Sequence, residues 1–148
     1  MDTLILLAVA TQGVMAGALF VEGAVLVPFW RSLPAPAFLD WYREHASLLM
    51  GFYAPLEIAA TAATIVAAIA GWLAGTPGAA YLAAASALSV LILVSFPLYF
   101  KDVNASFAEA TIEPQSVPSE LARWSRWHWG RTGIAQAAFV ATILAALA

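Results

Sequence analysis

The sequence predicts an all-α polytopic membrane protein, a bundle of four transmembrane helices in up-down order. Apolar residues make up 63% of the 148 residues and charged residues only 10%, against about 45–50% and about 25% in soluble domains. Between Ile58 and Phe100 no charged residue occurs, and Thr76-Pro77-Gly78 is the only turn signal there. The mean hydropathy is +0.85. Roughly 20 apolar residues cross about 30 Å of hydrocarbon, so the chain holds about four spans with short connections, in one membrane domain.

The spans are expected at about residues 3–29, 45–73, 79–100 and 124–148. The first ends near Pro28, before the polar turn from Arg31 to Pro36. The second is led in by an interfacial stretch from Phe38 to His45 and stopped by Gly75-Thr76-Pro77-Gly78. Pro97 should kink the last turn of the third. Lys101 to Pro118 reads as the one substantial loop. The last helix starts near Ser119, a suitable N-cap, and its opening turns carry Trp124, Trp127 and Trp129 as an interfacial belt. Gly13 and Gly17 form a GxxxG, read as close packing within the bundle, with dimerisation the alternative. Gln12, deep in the first span, reads as an interhelical hydrogen-bond donor.

Several function classes drop out. With no cysteine, disulfides, thiolate metal sites and Cys nucleophiles are excluded. Six Lys/Arg beside nine acids make no basic face for nucleic acid. Met1-Asp2-Thr3-Leu4 lacks a basic leader region and reads as the uncleaved start of the first span. Arg31, Arg43, Lys101, Arg123, Arg126 and Arg131 all lie in or beside the connections between spans one and two or three and four. The positive-inside rule therefore puts those connections in the cytoplasm and both termini outside the cell membrane.

Glu22 and Glu57 are stranded in apolar sequence. At 1.5 Å per residue, Glu22 lies about 10 Å below the end of its span and Glu57 roughly 18 Å past His45. A lipid-facing carboxylate is expensive, so both should turn inward and be paired or protonated. Trp124, His128 and Arg131 share one face of the last helix, and Met50, Tyr53 and Glu57 one stripe of the second. Two readings stay open. One is a structural ion pair of Arg131 with Glu22 or Glu57; the other is a site where a carboxylate and His128 handle protons or bind a ligand. A metal held by His128, Glu57, Glu22 and His45 is a further alternative, against which His45 sits about 120° from Glu57 around a regular helix. The rings of Trp41, Tyr42, Phe52, Tyr53, Phe96, Tyr99, Phe100, Trp124, Trp127 and Trp129 form either a belt or a pocket wall for a flat hydrophobic ligand.

Three stretches resemble the anthrone oxygenase-like family of small four-span membrane proteins. They are Gly17-Ala18-Leu19-Phe20 with Val27-Pro28, the segment from Phe96-Pro97 to Asn104-Ala105, and above all Arg123-Trp124-Ser125-Arg126-Trp127-His128-Trp129-Gly130-Arg131-Thr132. The resemblance implies a four-helix membrane bundle that oxidises polycyclic phenolic anthrones to anthraquinones with O₂, without a flavin or haem motif. It carries over Asn104, Trp124, His128 and Arg131; Glu22 and Glu57 come from the residues alone.

The leading expectation is an enzyme that oxidises a lipid-soluble phenol or quinol with O₂. His128 or Glu57 would be the base, Arg131 and Asn104 would steady the developing oxyanion, and Trp124, Trp127, Tyr53 and Glu22 would hold the substrate. No cofactor is required by the sequence, and a bound metal is left open. The alternative is an accessory or ligand-binding subunit, holding a quinone, lipid, pigment or metal within a homo-oligomer or larger membrane complex. A transporter ranks last, since no inverted repeat is visible.

Overall fold

Helix length sets the architecture. The computed structural model describes residues 1–148 and contains no strand. Its four long helices are α1 (Asp2–Ser32), α2 (Ala35–Leu73), α3 (Ala79–Ala108) and α4 (Val117–Leu147), the last opened by a 3₁₀ turn at Pro114–Ser116. All four rods are long and apolar enough to cross a membrane. α1 and α3 each pack against both α2 and α4, while the diagonal pairs barely touch. The result is a closed four-cornered bundle with a narrow interior.

Packing changes character along the bundle axis. The end carrying the α1–α2 and α3–α4 connections is aromatic, built around Trp30, Phe38, Tyr42, Phe100, Phe107 and Trp124. The middle joins Met15, Leu19 and Ile92 to alanines. At the end with the chain termini, Ala8, Ala67 and Ala145 let the backbones approach closely around Ile5 and Leu82. Gln12 ties this half together, donating to Thr64 Oγ1 at 2.9 Å and Ser89 Oγ at 2.6 Å, so α1, α2 and α3 share one buried polar knot.

The helices are longer than hydropathy alone suggests. α2 has 39 residues, about twice what the hydrocarbon requires. Toward the aromatic end, the last strongly exposed apolar side chains are Phe29 on α1, Leu48 on α2, Leu98 on α3 and Trp127 on α4. Counted from that rim at Leu48, Glu57 lies about 14 Å along α2, against roughly 18 Å from His45. α1 runs through Pro28 to Ser32. The expected loop from Lys101 to Pro118 is instead helical over Lys101–Ala108. Val103 and Phe107 of that segment are buried while Lys101 and Asp102 are exposed. Its charges mark the outer face of an amphipathic extension, which average hydropathy cannot distinguish from a loop. Helix α4 begins at Val117, and Ser119 is not its cap but bonds back to the Ser116 carbonyl at 2.8 Å.

Two prolines are absorbed by wide turns. Glu22–Leu26 and Phe96–Phe100 are π-helical, with Val27 N–H bonding the Glu22 carbonyl and Lys101 N–H the Phe96 carbonyl. Pro28 follows the first and Pro97 lies in the second, where an extra residue accommodates the missing donor. Of the GxxxG pair, Gly13 admits the ring of Phe139 from α4, a Cβ there lying 3.0 Å from it, while Gly17 faces open space. Gly78 is the tightest glycine, since a Cβ would sit 2.5 Å from the Ala145 carbonyl oxygen.

Gly78→Ala should therefore push α4 off the α2–α3 turn and cost about 1–3 kcal/mol. Thermal unfolding in detergent should show a lower Tm for Gly78→Ala and little change for Gly17→Ala. Equal melting of the two variants would mean the turn is not packed on α4.

Candidate functional site

The π turn at Glu22–Leu26 shifts the buried face of α1 so that Leu19, Glu22, Gly23, Val27 and Trp30 all point into the bundle. Gly23 gives room for the imidazole of α4, since a Cβ there would come within 3.1 Å of His128 Nε2. From α2, Glu57 enters one turn before the buried Thr61, whose hydroxyl bonds the Glu57 carbonyl at 2.7 Å. From α4, Trp124, His128 and Arg131 arrive on one buried face.

Arg131 joins the three helices. Its Nη2 lies 3.3 Å from Glu22 Oε2 and its Nη1 3.3 Å from Glu57 Oε1. The guanidinium carbon sits 4.4 Å from the centre of the Phe100 ring, so α3 supplies the fourth wall through a cation–π contact. All three charged residues are buried. Glu57 Oε1 accepts no aligned hydrogen bond despite the ion pair, so the contact is mainly coulombic.

His128 is fully enclosed. Its Nε2 is 2.8 Å from the Leu19 carbonyl, which accepts only, so Nε2 carries the proton. Its Nδ1 then accepts from Arg131 Nε at 3.4 Å and lies 3.6 Å from Glu22 Oε2. The Trp124 indole stacks on the imidazole with centroids 4.9 Å apart. Trp124 Nε1 in turn donates to Asn104 Oδ1 at 2.9 Å. Because an indole N–H only donates, the amide NH₂ of Asn104 is left to point elsewhere.

A cavity of about 590 Å³ lies between α2 and α3 against this cluster. Glu22, Glu57 and Arg131 line its inner wall, with Tyr42, Asn104 and Trp124 toward the aromatic end. Its rim includes the exposed Met50 and Ile58 of α2 and Lys101 of α3. The cavity opens sideways onto the apolar surface, and most of its lining is hydrophobic. Its size and one-sided polarity suit a ring system with a few polar substituents.

A family model described as Anthrone oxygenase matches residues 38–141. The chain belongs to the anthrone oxygenase family. No curated protein and no solved structure matches it. In this family member the four positions carried over by resemblance form one chain of contacts, from Asn104 through Trp124 and His128 to Arg131. Glu57 lies within the matched stretch and Glu22 outside it.

The structure departs from the sequence expectations at two residues, His128 and Trp127. His128 does not line the cavity, because both its nitrogens are committed inside the wall. Trp127 lies elsewhere, stacked on Tyr99 with centroids 4.9 Å apart and 41% exposed. His45 is remote from the carboxylates, its Nδ1 2.8 Å from the Trp41 carbonyl and its ring stacked on Trp41. His128, Glu57, Glu22 and His45 therefore make no donor set, and no group of three or more His, Asp or Glu residues is placed to hold a metal ion. Tyr53 lines the cavity, its hydroxyl 3.4 Å from the Ala18 carbonyl. Of the rings read as a belt or a pocket wall, Tyr42 lines the cavity and Phe100 forms the cation–π shelf under Arg131.

Removing Arg131 strands two buried carboxylates, at about 3–5 kcal/mol. Arg131→Met should fold poorly, and adding Glu22→Gln with Glu57→Gln should recover much of the lost Tm. A triple variant no more stable than Arg131→Met would show that the guanidinium is not their counter-charge.

Proposed function

We propose that this protein oxidises a hydrophobic phenol- or quinol-type compound with O₂ in the cavity between α2 and α3. The observation that carries the reading is a pair of carboxylates on the wall of an otherwise apolar cavity open toward lipid. Membership of the anthrone oxygenase family supports it independently.

The substrate enters laterally from the bilayer and lies between the walls of Tyr42, Tyr53 and Trp124. Glu57, which lines the cavity, takes a phenolic or benzylic proton on Oε2, its Oε1 being buried against Arg131 Nη1. A proton gained by Glu57 leaves the Arg131 guanidinium paired with Glu22. Arg131 and the amide NH₂ of Asn104 steady the oxyanion that remains. The resonance-stabilised anion then reduces O₂. Turning a ring CH₂ into a carbonyl releases four electrons, with one oxygen atom entering the product and the other leaving as water. His128 acts through others, holding the Arg131 guanidinium and the Trp124 ring in register. The basic residues outside the cluster gather at the aromatic end, which supports placing that end in the cytoplasm and both termini outside.

Protein in lipid nanodiscs should consume O₂ with an anthrone above the rate of autoxidation. Glu57→Gln should lower kcat by about 10²–10⁴ while leaving KM within a few-fold. A wild-type rate no faster than empty nanodiscs, or a Glu57→Gln variant with undiminished kcat, would remove the proposal.

A further inference from the structure

A second cavity, of about 600 Å³, lies on the other side of α3, in the groove between α3 and α4. One end of it is cationic. Arg123 and Arg126 line it, both exposed, and neither joins any ion pair of the protein. Arg123 is held in place, its guanidinium carbon 5.1 Å from the centre of the Tyr99 ring. Tyr99 also stacks on Trp127, with ring centroids 4.9 Å apart. The nearby carboxylate, Glu120, is engaged by the Tyr99 hydroxyl at 2.7 Å.

The rest of the groove is apolar. Leu98, Val94 and Leu91 run down α3 in successive turns, all exposed, from the rim of the apolar belt toward the bilayer centre. Opposite them Gly130 leaves a gap, since a Cβ there would meet nothing within 4 Å. Arg131, which also borders the groove, has its guanidinium nitrogens turned to Glu22 and Glu57.

We propose that this groove binds one anionic phospholipid, its phosphate between Arg123 and Arg126 and an acyl chain along Leu98, Val94 and Leu91 past Gly130. Arginine forks suit phosphate oxygens, and the apolar wall continues in the direction a lipid tail takes. A soluble phosphate would use only the cationic end, whereas a lipid satisfies both ends of the gradient. The occupant is independent of the chemistry proposed for the other cavity.

The test is native mass spectrometry of the detergent-solubilised chain mixed with phosphatidylglycerol or phosphatidylcholine. One phosphatidylglycerol should be retained in preference to phosphatidylcholine. R123Q/R126Q should weaken that retention by roughly tenfold or more. Gly130→Leu, which fills the groove without touching a charge, should weaken it too. Arg43→Gln, at the same end but paired with Asp40 at 3.3 Å, should not. Equal retention of the two lipids, full retention by Gly130→Leu, or equal loss in Arg43→Gln would overturn the assignment and leave general interfacial attraction. Displacement by inorganic phosphate at millimolar concentration would likewise overturn it, in favour of a free-anion site.

Discussion

A single guanidinium held between two carboxylates in oil organises this molecule. Arg131 of α4 reaches Glu22 of α1 and Glu57 of α2 at 3.3 Å each and rests on Phe100 of α3. Separated, each charge would cost several kcal/mol to keep away from water; together they fix how the four helices turn about their axes. The structural ion pairs and the proposed site use the same carboxylates. The ion pairs hold the bundle, and the same carboxylates face the cavity.

Two local devices make the arrangement accessible to this sequence. The π turns at Glu22–Leu26 and Phe96–Phe100 each add a residue where a proline removes a donor. The first brings Glu22 and Trp30 to the same buried side; the second opens beside Phe100, on which Arg131 rests. Chains of aromatic contacts then carry order outward, from His128 through Trp124 to Trp30 and Phe38. The aromatic end packs over the polar cluster on the side of the α1–α2 and α3–α4 connections.

Much of this was legible in the residues. An isolated carboxylate in apolar sequence has few options, so the inward turn of Glu22 and Glu57 follows from the cost of the alternative. The i, i+4, i+7 spacing of Trp124, His128 and Arg131 correctly placed them on one buried face. What could not be read was which groups end up in front. Helical spacing gives an angle about one axis, not the depth of a side chain behind a neighbour, so His128 and Trp127 both looked like cavity residues. The Lys101–Ala108 extension was hidden because its charged face dominates a short window. The role of Phe100 depends on a contact between helices, for which a lone ring in a belt gives no signal.

The most direct test of the central claim is a solid-state NMR measurement in lipid bilayers of the dipolar couplings between the Arg131 guanidinium nitrogens and the carboxyl carbons of Glu22 and Glu57. The account predicts that both carboxyl carbons couple strongly to the one guanidinium. Coupling to only one of them, or to neither, would contradict it, because the three helices would then not share a polar centre.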